Sequence, residues 1–67
     1  MNIELSLSLR EKYKVVRKQK GIKLRHISKE IGVSVPMLSM YENELANLNK
    51  EKENKYRLII MRNDINL

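Results

Sequence analysis

Two short apolar stripes of helical period, separated by a three-residue break, constrain the fold of this chain more than any other feature of its sequence. Apolar residues recur at helical spacing over 24–31 and again over 35–43, and residues 32–34 break the period between them. Gly32 can adopt the left-handed conformation that ends a helix, and Ser34 is a good N-cap for the next one. The pattern predicts two short helices joined by a tight turn, with these residues facing inward: Leu24, Ile27, Ile31, Leu38 and Tyr41.

A further helix is predicted ahead of this pair, over residues 9–20. Ser8 followed three residues later by Glu11 is typical of a capping box, in which the serine oxygen accepts from a first-turn amide and the glutamate reaches back. Gly21 is expected to end this helix, because glycine readily adopts the left-handed conformation found at helix C-termini. The inward stripe of this helix is predicted to consist of Leu9, Tyr13 and Val16.

Asn49 is the predicted N-cap of a last helix, over residues 50–60. Glu51 and Glu53 in its first turn lie where the positive end of the helix dipole favours carboxylates. Residues 58–62 are rich in β-favouring side chains, so the chain could instead end in a strand that pairs with the N-terminal segment. The helical interpretation directs Tyr56, Ile59 and Ile60 inward.

The segment over residues 44–48 allows two interpretations. Leu45 and Leu48 either continue the preceding helix or belong to a loop that folds back over the core. We favour the loop, because Asn49 begins a new helix directly afterwards.

Residues 2–9 alternate apolar and polar side chains, which is typical of a strand or an extended arm. We therefore divide the chain into an arm or strand over 1–8, a helical domain over 9–62 and a tail over 63–67. The predicted fold class is all-α with four to five helices. The sequence also allows a short N-terminal β-strand, with or without a C-terminal one, in addition to these helices.

Length and composition exclude several classes of protein. A chain of 67 residues holds one domain at most and lacks a deep interior for a large catalytic cavity. It contains no cysteine, so disulfides and sulfur-ligated metals are excluded.

The longest apolar run is residues 58–61, far below the roughly 20 residues that span a membrane. No signal peptide is recognised. We expect a small soluble cytoplasmic protein with no membrane partner.

The positive charge is concentrated in one part of the chain. The net charge is +6, yet residues 10–29 alone carry nine basic side chains against the single acid Glu11. A segregated basic segment attracts polyanions, because each Lys or Arg placed on a phosphate releases condensed counterions. A solvated helix face is the alternative explanation.

No combination of residues points to catalysis. His26 is the only histidine, and no nucleophile is accompanied by a base and an orienting group. Two glycines in total do not make a phosphate-binding loop. We expect a protein that is not an enzyme, with no metal, no cofactor and no small-molecule ligand.

The segment from Ile22 to Glu42 resembles the helix-turn-helix signature of the Xre family, which includes lambda-repressor-like and Cro-like DNA-binding domains. The family pattern requires a small residue where Ser28 stands, so that two helices can approach closely, and a turn glycine where Gly32 stands. The resemblance covers about residues 9–60. It also matches the apolar positions Ile27, Ile31, Val33, Leu38 and Tyr41.

The resemblance implies a lambda-repressor-like domain that binds double-stranded DNA with the helix over 35–43 in the major groove. It implies a small repressor of bacterial or phage type that acts as a homodimer, and residues 2–8 are our candidate for the dimer contact. It also implies an ion pair between Arg17 of the first helix and Glu42 of the recognition helix.

The positions that match the family's base readers carry apolar side chains here. Val35, Pro36 and Met40 cannot form bidentate hydrogen bonds with guanine or adenine, but they can touch thymine methyl groups. Ser39 is assigned to the base side as well. We expect loose or A/T-leaning binding that depends on phosphates, DNA shape and methyl contacts. The phosphate contacts are assigned to Lys23, Arg25, Ser34 and Asn43.

The same apolar side chains support an alternative function. A helix-turn-helix fold can bind a protein instead of DNA, as an antirepressor or an inhibitor of a host factor. Its contact patch would consist of Val35, Pro36, Met37 and Met40.

Overall fold

Four helices make up residues 7–62, the part of the chain that this computed structural model describes. In chain order they are α1 (Leu9–Gln19), α2 (Leu24–Ile31), α3 (Val35–Glu42) and α4 (Lys50–Arg62). α2 and α3 pack against each other, and α1 and α2 each pack against α4, while α3 also packs against α1. Residues 7–62 contain no strand, which confirms the predicted all-α fold class.

The helix starts follow the predicted local signals. Ser8 and Glu11 form the capping box: the Ser8 Oγ accepts from the Glu11 amide at 3.1 Å, and the Glu11 carboxylate accepts from the Ser8 amide at 2.7 Å. Ser34 caps α3 by accepting from the Met37 amide at 3.3 Å. Asn49 caps α4, since its Oδ1 accepts from the amide of the third residue of that helix at 2.8 Å.

The turn between α2 and α3 depends on Gly32. This residue is the C-cap of α2 and has a φ of +74°, in the left-handed region that β-carbon sterics make costly for other residues. Two residues later, Ser34 already begins α3. The short connection explains how two helices of eight residues each can pack against each other.

The C-terminal end of α4 is helical where the sequence also allowed a strand. The helix continues to Arg62, so the strand considered for residues 58–62 is wrong. Ile59 and Ile60 are buried on its inner face, and burial at helical spacing outweighs their β propensity. The residues of the predicted N-terminal strand up to Ser6 and the tail over 63–67 lie outside the described residues. The division into arm, domain and tail therefore stays a prediction.

The connection between α3 and α4 is a loop, as favoured, but Leu45 does not cover the core. Its side chain is 72% exposed, whereas Leu48 packs against the buried residues. Glu44 has a φ of +64°, and the Leu45 amide donates to the Met40 carbonyl at 2.7 Å. These are features of a Schellman motif, which turns the chain outward at the end of α3.

The exposure of Leu9 also differs from the prediction. It was expected on the inward stripe of α1 but is 61% exposed, because it occupies the first turn, ahead of the turn at which Tyr13 reaches the core. The buried apolar residues come from all four helices and from the segment before α2. They are Tyr13, Ile22, Ile27, Ile31, Leu38, Tyr41, Tyr56, Ile59 and Ile60.

Three tyrosines form the aromatic centre of this core. The Tyr56 ring meets the Tyr13 ring at a centroid distance of 5.8 Å and the Tyr41 ring at 5.2 Å, both edge to face. Such pairs stabilise a core beyond the area that they bury. Each of the two phenols on α3 and α4 donates to a carboxylate: Tyr41 to Glu53 and Tyr56 to Glu42, both at 2.6 Å.

A buried ion pair links α1 to α3. The Arg17 Nε donates to one Glu42 oxygen at 2.6 Å, and its Nη2 donates to the other at 2.9 Å. Arg17 is 7% exposed and Glu42 is 1% exposed. Nη1 of Arg17 donates to the Ile22 carbonyl at 2.9 Å, which ties the segment before α2 to α1 as well. The bidentate geometry satisfies both charges.

Glu42→Ala is expected to destabilise the fold by about 3–5 kcal/mol, because it leaves the Arg17 guanidinium buried without its counterion. Urea unfolding followed by circular dichroism measures this change. Glu51→Ala is the matched control, since Glu51 pairs with Lys55 on the surface at 3.5 Å and such pairs contribute at most about 1 kcal/mol. Equal losses in the two variants would contradict the importance of the buried pair.

The fold is also expected to lose stability above about pH 10. Burial, followed by the hydrogen bonds to Glu53 and Glu42, raises the pKa of Tyr41 and of Tyr56 well above the ordinary value of 10.0. Above that value the unfolded chain releases protons that the folded chain retains. The free energy of unfolding therefore falls by up to about 1.4 kcal/mol per pH unit for each tyrosine.

Urea unfolding between pH 8.5 and pH 11.5, compared with the same series for Tyr41→Phe and Tyr56→Phe, measures this dependence. Lysines also titrate in this range, so the comparison isolates the phenols. Each Phe variant should show a shallower decline than the parent chain. Identical slopes in all three proteins would refute the assignment.

Candidate nucleic-acid interface

The exposed face of α3 is apolar. Pro36 and Met40 are exposed and lie one turn apart, and Val35 beside them is 37% exposed. Met40 is 41% exposed, and Ser39 is half-buried. All four residues that the sequence assigned to the base side therefore lie along the outward part of α3, with Ser39 the least accessible.

The opposite face of α3 is fixed against the core. Leu38 and Tyr41 are fully buried, and Glu42, the one charged residue of this helix, is 1% exposed and paired with Arg17. The exposed face therefore carries no formal charge. Any attraction that α3 has for a polyanion must come from the elements around it.

A cationic depression lies on α2. Its lining consists of Lys23, Arg25, His26 and Lys29. Ile27 and Ile31 hold the opposite side of α2 in the core, which directs these basic side chains outward. Lys23 and Arg25, both assigned to phosphates by the sequence, are thus brought together. Within residues 7–62 the side chains of Lys23, Arg25 and Lys29 form no ion pair with an acid.

Ser34 and Asn43, the other two residues assigned to phosphates, flank α3 at its two ends. The Ser34 oxygen accepts the capping hydrogen bond, so its hydroxyl proton is what it can offer to a ligand. Asn43 is already engaged: its Oδ1 accepts from the Lys14 ammonium at 3.0 Å, and its Nδ2 donates to the Ser39 carbonyl at 2.9 Å. Asn43 therefore positions Lys14 beside the C-terminal end of α3.

Several members of the basic segment serve the fold instead of an interface. The guanidinium of Arg10 lies 4.3 Å from the centroid of the Tyr41 ring and donates to the Ala46 carbonyl at 2.9 Å and to Asn47 Oδ1 at 2.6 Å. Arg17 is buried in its ion pair, and the Lys20 ammonium donates to the Ile60 carbonyl at 2.5 Å. The concentration of charge over 10–29 thus overstates the charge that a ligand can reach.

Two basic residues belong to the candidate interface that sequence reasoning did not select. Lys29 lies one turn after Arg25 and lines the same depression, so helical spacing was a signal that could have found it. Lys14 reaches α3 only through the packing of α1 against α3, for which the sequence carries no local signal.

A metal site and a membrane-spanning segment are two other features that residues 7–62 could carry. No group of three or more potential metal ligands occurs in residues 7–62. None of the four helices described is long and apolar enough to cross a membrane. The arrangement that stands out chemically is an apolar helix face beside a cationic depression on the helix packed against it.

Comparison with known proteins adds to this geometry. A family model described as helix-turn-helix matches residues 14–52, which is more than half of the chain. The matched range begins within α1 and ends in the first turn of α4, so it contains α2, the turn and α3 in full. No curated protein and no solved structure matches the chain significantly. The match therefore covers the whole apolar face and the cationic depression.

Proposed function

The chain belongs to the helix-turn-helix family of Cro type, whose domains bind DNA, and on that premise we propose that it is a transcriptional regulator that acts as a repressor. The proposal places α3 in the major groove of double-stranded DNA, which is wide enough to admit a helix. Val35, Pro36, Ser39 and Met40 then face the bases. Repression is the outcome that binding alone produces, since a protein that occupies a promoter excludes others from it.

The cationic depression on α2 is the observation that carries this proposal. Lys23, the N-cap of α2, and Arg25 and Lys29 within α2 are exposed. α2 packs against α3, and the phosphate backbone passes there when α3 enters the groove. Ser34 can donate its hydroxyl proton to a phosphate at the start of α3. At the other end, Asn43 and the Lys14 that it holds supply a further cation.

We infer that the regulator binds as a homodimer, because two recognition helices about 34 Å apart read successive turns of one DNA face. The alternating residues 2–8 are the proposed contact, since an unpaired strand pairs readily with another edge. Light scattering should give twice the mass of the chain for the intact protein. A version lacking residues 2–6 should give the mass of one chain. If it still gave the mass of two chains, this segment would not be the dimer contact.

The affinity for duplex DNA is expected to fall steeply as salt rises. Each lysine on a phosphate contributes about 0.9 to the slope of log affinity against log salt concentration, so Lys23→Ala and Lys29→Ala should each lower the slope by about that amount. Fluorescence anisotropy across a salt series measures the slope. Both substitutions should weaken binding to all sequences alike.

Arg57→Ala is the matched control. Arg57 is an exposed cation on α4, where it donates to Asn54 at 2.9 Å, and it lines neither the apolar face of α3 nor the cationic depression. Its removal should leave the slope unchanged. If no duplex of any sequence bound even at low salt, the proposal would fail. The apolar patch of Val35, Pro36, Met37 and Met40 would then support the protein-binding alternative.

A further inference from the structure

We propose that α3 recognises the C5-methyl groups of pyrimidines in the major groove, so that it distinguishes thymine from uracil and 5-methylcytosine from cytosine. The inference rests on the DNA-binding function proposed above. It adds the chemistry by which the helix selects its site. The occupant of the apolar face is accordingly duplex DNA that presents methyl groups.

The side chains that α3 offers to a ligand are almost entirely apolar. Met40 and Pro36 lie one turn apart on the outward face, and Val35 and Met37 are each 37% exposed beside them. Ser39 is half-buried at the margin of this face. The remaining polar side chain at the end of the helix, Asn43, has its oxygen engaged by Lys14 and one amide hydrogen engaged by the Ser39 carbonyl.

Such a face cannot recognise most base edges. Guanine and adenine are read by paired hydrogen bonds from Arg, Lys, Asn or Gln, and α3 presents none of these between Val35 and Glu42. An apolar side chain pressed on a polar base edge removes water from it without replacing the hydrogen bonds, which is unfavourable. The thymine C5-methyl is the one apolar group that natural bases display in the major groove.

The C5-methyl of 5-methylcytosine projects from the same ring position as that of thymine. The apolar side chains that cover the methyl group would be the same for both pyrimidines, and the polar side chain on this face, Ser39, is half-buried at its margin. Methionine suits such a contact, because its unbranched thioether adapts to the position of an apolar group. We therefore assign the central contact to Met40, which is 41% exposed, against 37% for Val35 and for Met37.

Charge complementarity favours DNA over an apolar protein surface as the occupant. Lys14 stands at the C-terminal end of α3, held by Asn43, and the cationic depression lies on α2, which packs directly against α3. The apolar face is thus bordered by cations on two sides. Phosphates on both sides of a methyl-bearing groove match this arrangement.

The test begins with duplexes enriched from a random pool by the intact protein at moderate salt. The best duplex is compared with the same duplex in which deoxyuridine replaces thymidine, which removes the methyl groups and keeps the pairing and the O4 acceptors. We expect affinity to fall about fourfold for each methyl group in contact, the value of one buried methylene. Conversely, 5-methylcytosine should bind about fourfold more tightly than cytosine at a contacted position.

A double-mutant cycle separates direct contact from an effect of methyl groups on DNA shape. In Met40→Ala the loss of affinity caused by deoxyuridine should be smaller. The Met40 side chain and the methyl group that it contacts contribute to binding through one shared interaction free energy. Met61→Ala, which removes a 51% exposed methionine from α4, should retain the full penalty. Alanine favours helix, and thermal melting of each variant verifies that it folds.

The outcomes distinguish this inference from the function on which it rests. Salt-dependent binding that is the same with thymine and uracil overturns methyl recognition and leaves DNA binding standing. A uracil penalty of equal size in the intact protein and in Met40→Ala overturns the contact with Met40. Absence of binding to every duplex overturns both the function and the inference.

Discussion

The carboxylate of Glu42 is the group on which the arrangement of the helices depends. It accepts hydrogen bonds from Arg17 of α1 and from Tyr56 of α4, and it belongs to α3, so one buried charge joins three helices. α3 and α4 contact each other through the edge-to-face pair of Tyr41 and Tyr56. Their relative position is set by this ring pair, by the Glu42 carboxylate and by the Tyr41 hydroxyl, which donates to Glu53. Because hydrogen bonds are directional, this network fixes the rotation of α3 more closely than apolar packing would.

The rotation of α3 decides which side chains a ligand meets. With Leu38, Tyr41 and Glu42 directed inward, the helix leaves Pro36 and Met40 outward. Two cations of the domain also form contacts within the fold. Arg17 neutralises Glu42, and Lys52 donates to the carbonyl of Ile31 at 2.6 Å, at the C-terminus of α2 where the helix dipole favours a cation. Part of the cationic composition of this domain therefore stabilises its fold.

Local signals in the sequence predicted the helices well, and long-range contacts account for what they missed. The capping box of Ser8, the glycine at position 32 and the cap at Ser34 are set by neighbours within three residues, so sequence alone locates them. The exposure of Leu9 and Leu45 depends on where the core ends in space. Apolar periodicity indicates a face but does not indicate how far along the helix that face is covered.

In the candidate site, too, some residues could be predicted from the sequence and others depend on long-range contacts. The family resemblance assigns Lys23 and Arg25 to phosphates, and the structure brings them together in one depression. The role of Arg10 could not be predicted, because its partners Tyr41 and Ala46 lie more than 30 residues away in the chain. A count of basic residues treats Arg10 and Lys29 as equivalent, whereas the fold uses the first and exposes the second.

Phosphate contacts and methyl contacts contribute differently to a regulator built in this way. The proposed contacts from Lys23 and Lys29 to phosphates would add affinity for all sequences equally, so they would not raise the ratio of specific to non-specific binding. A methyl contact would contribute about 0.8 kcal/mol, which is below the roughly 1–3 kcal/mol of a bidentate contact with a base. One copy of α3 therefore discriminates weakly. Discrimination would multiply if two copies read one site, so the proposed dimer would have a larger share in site selection than it has in a domain with polar readers.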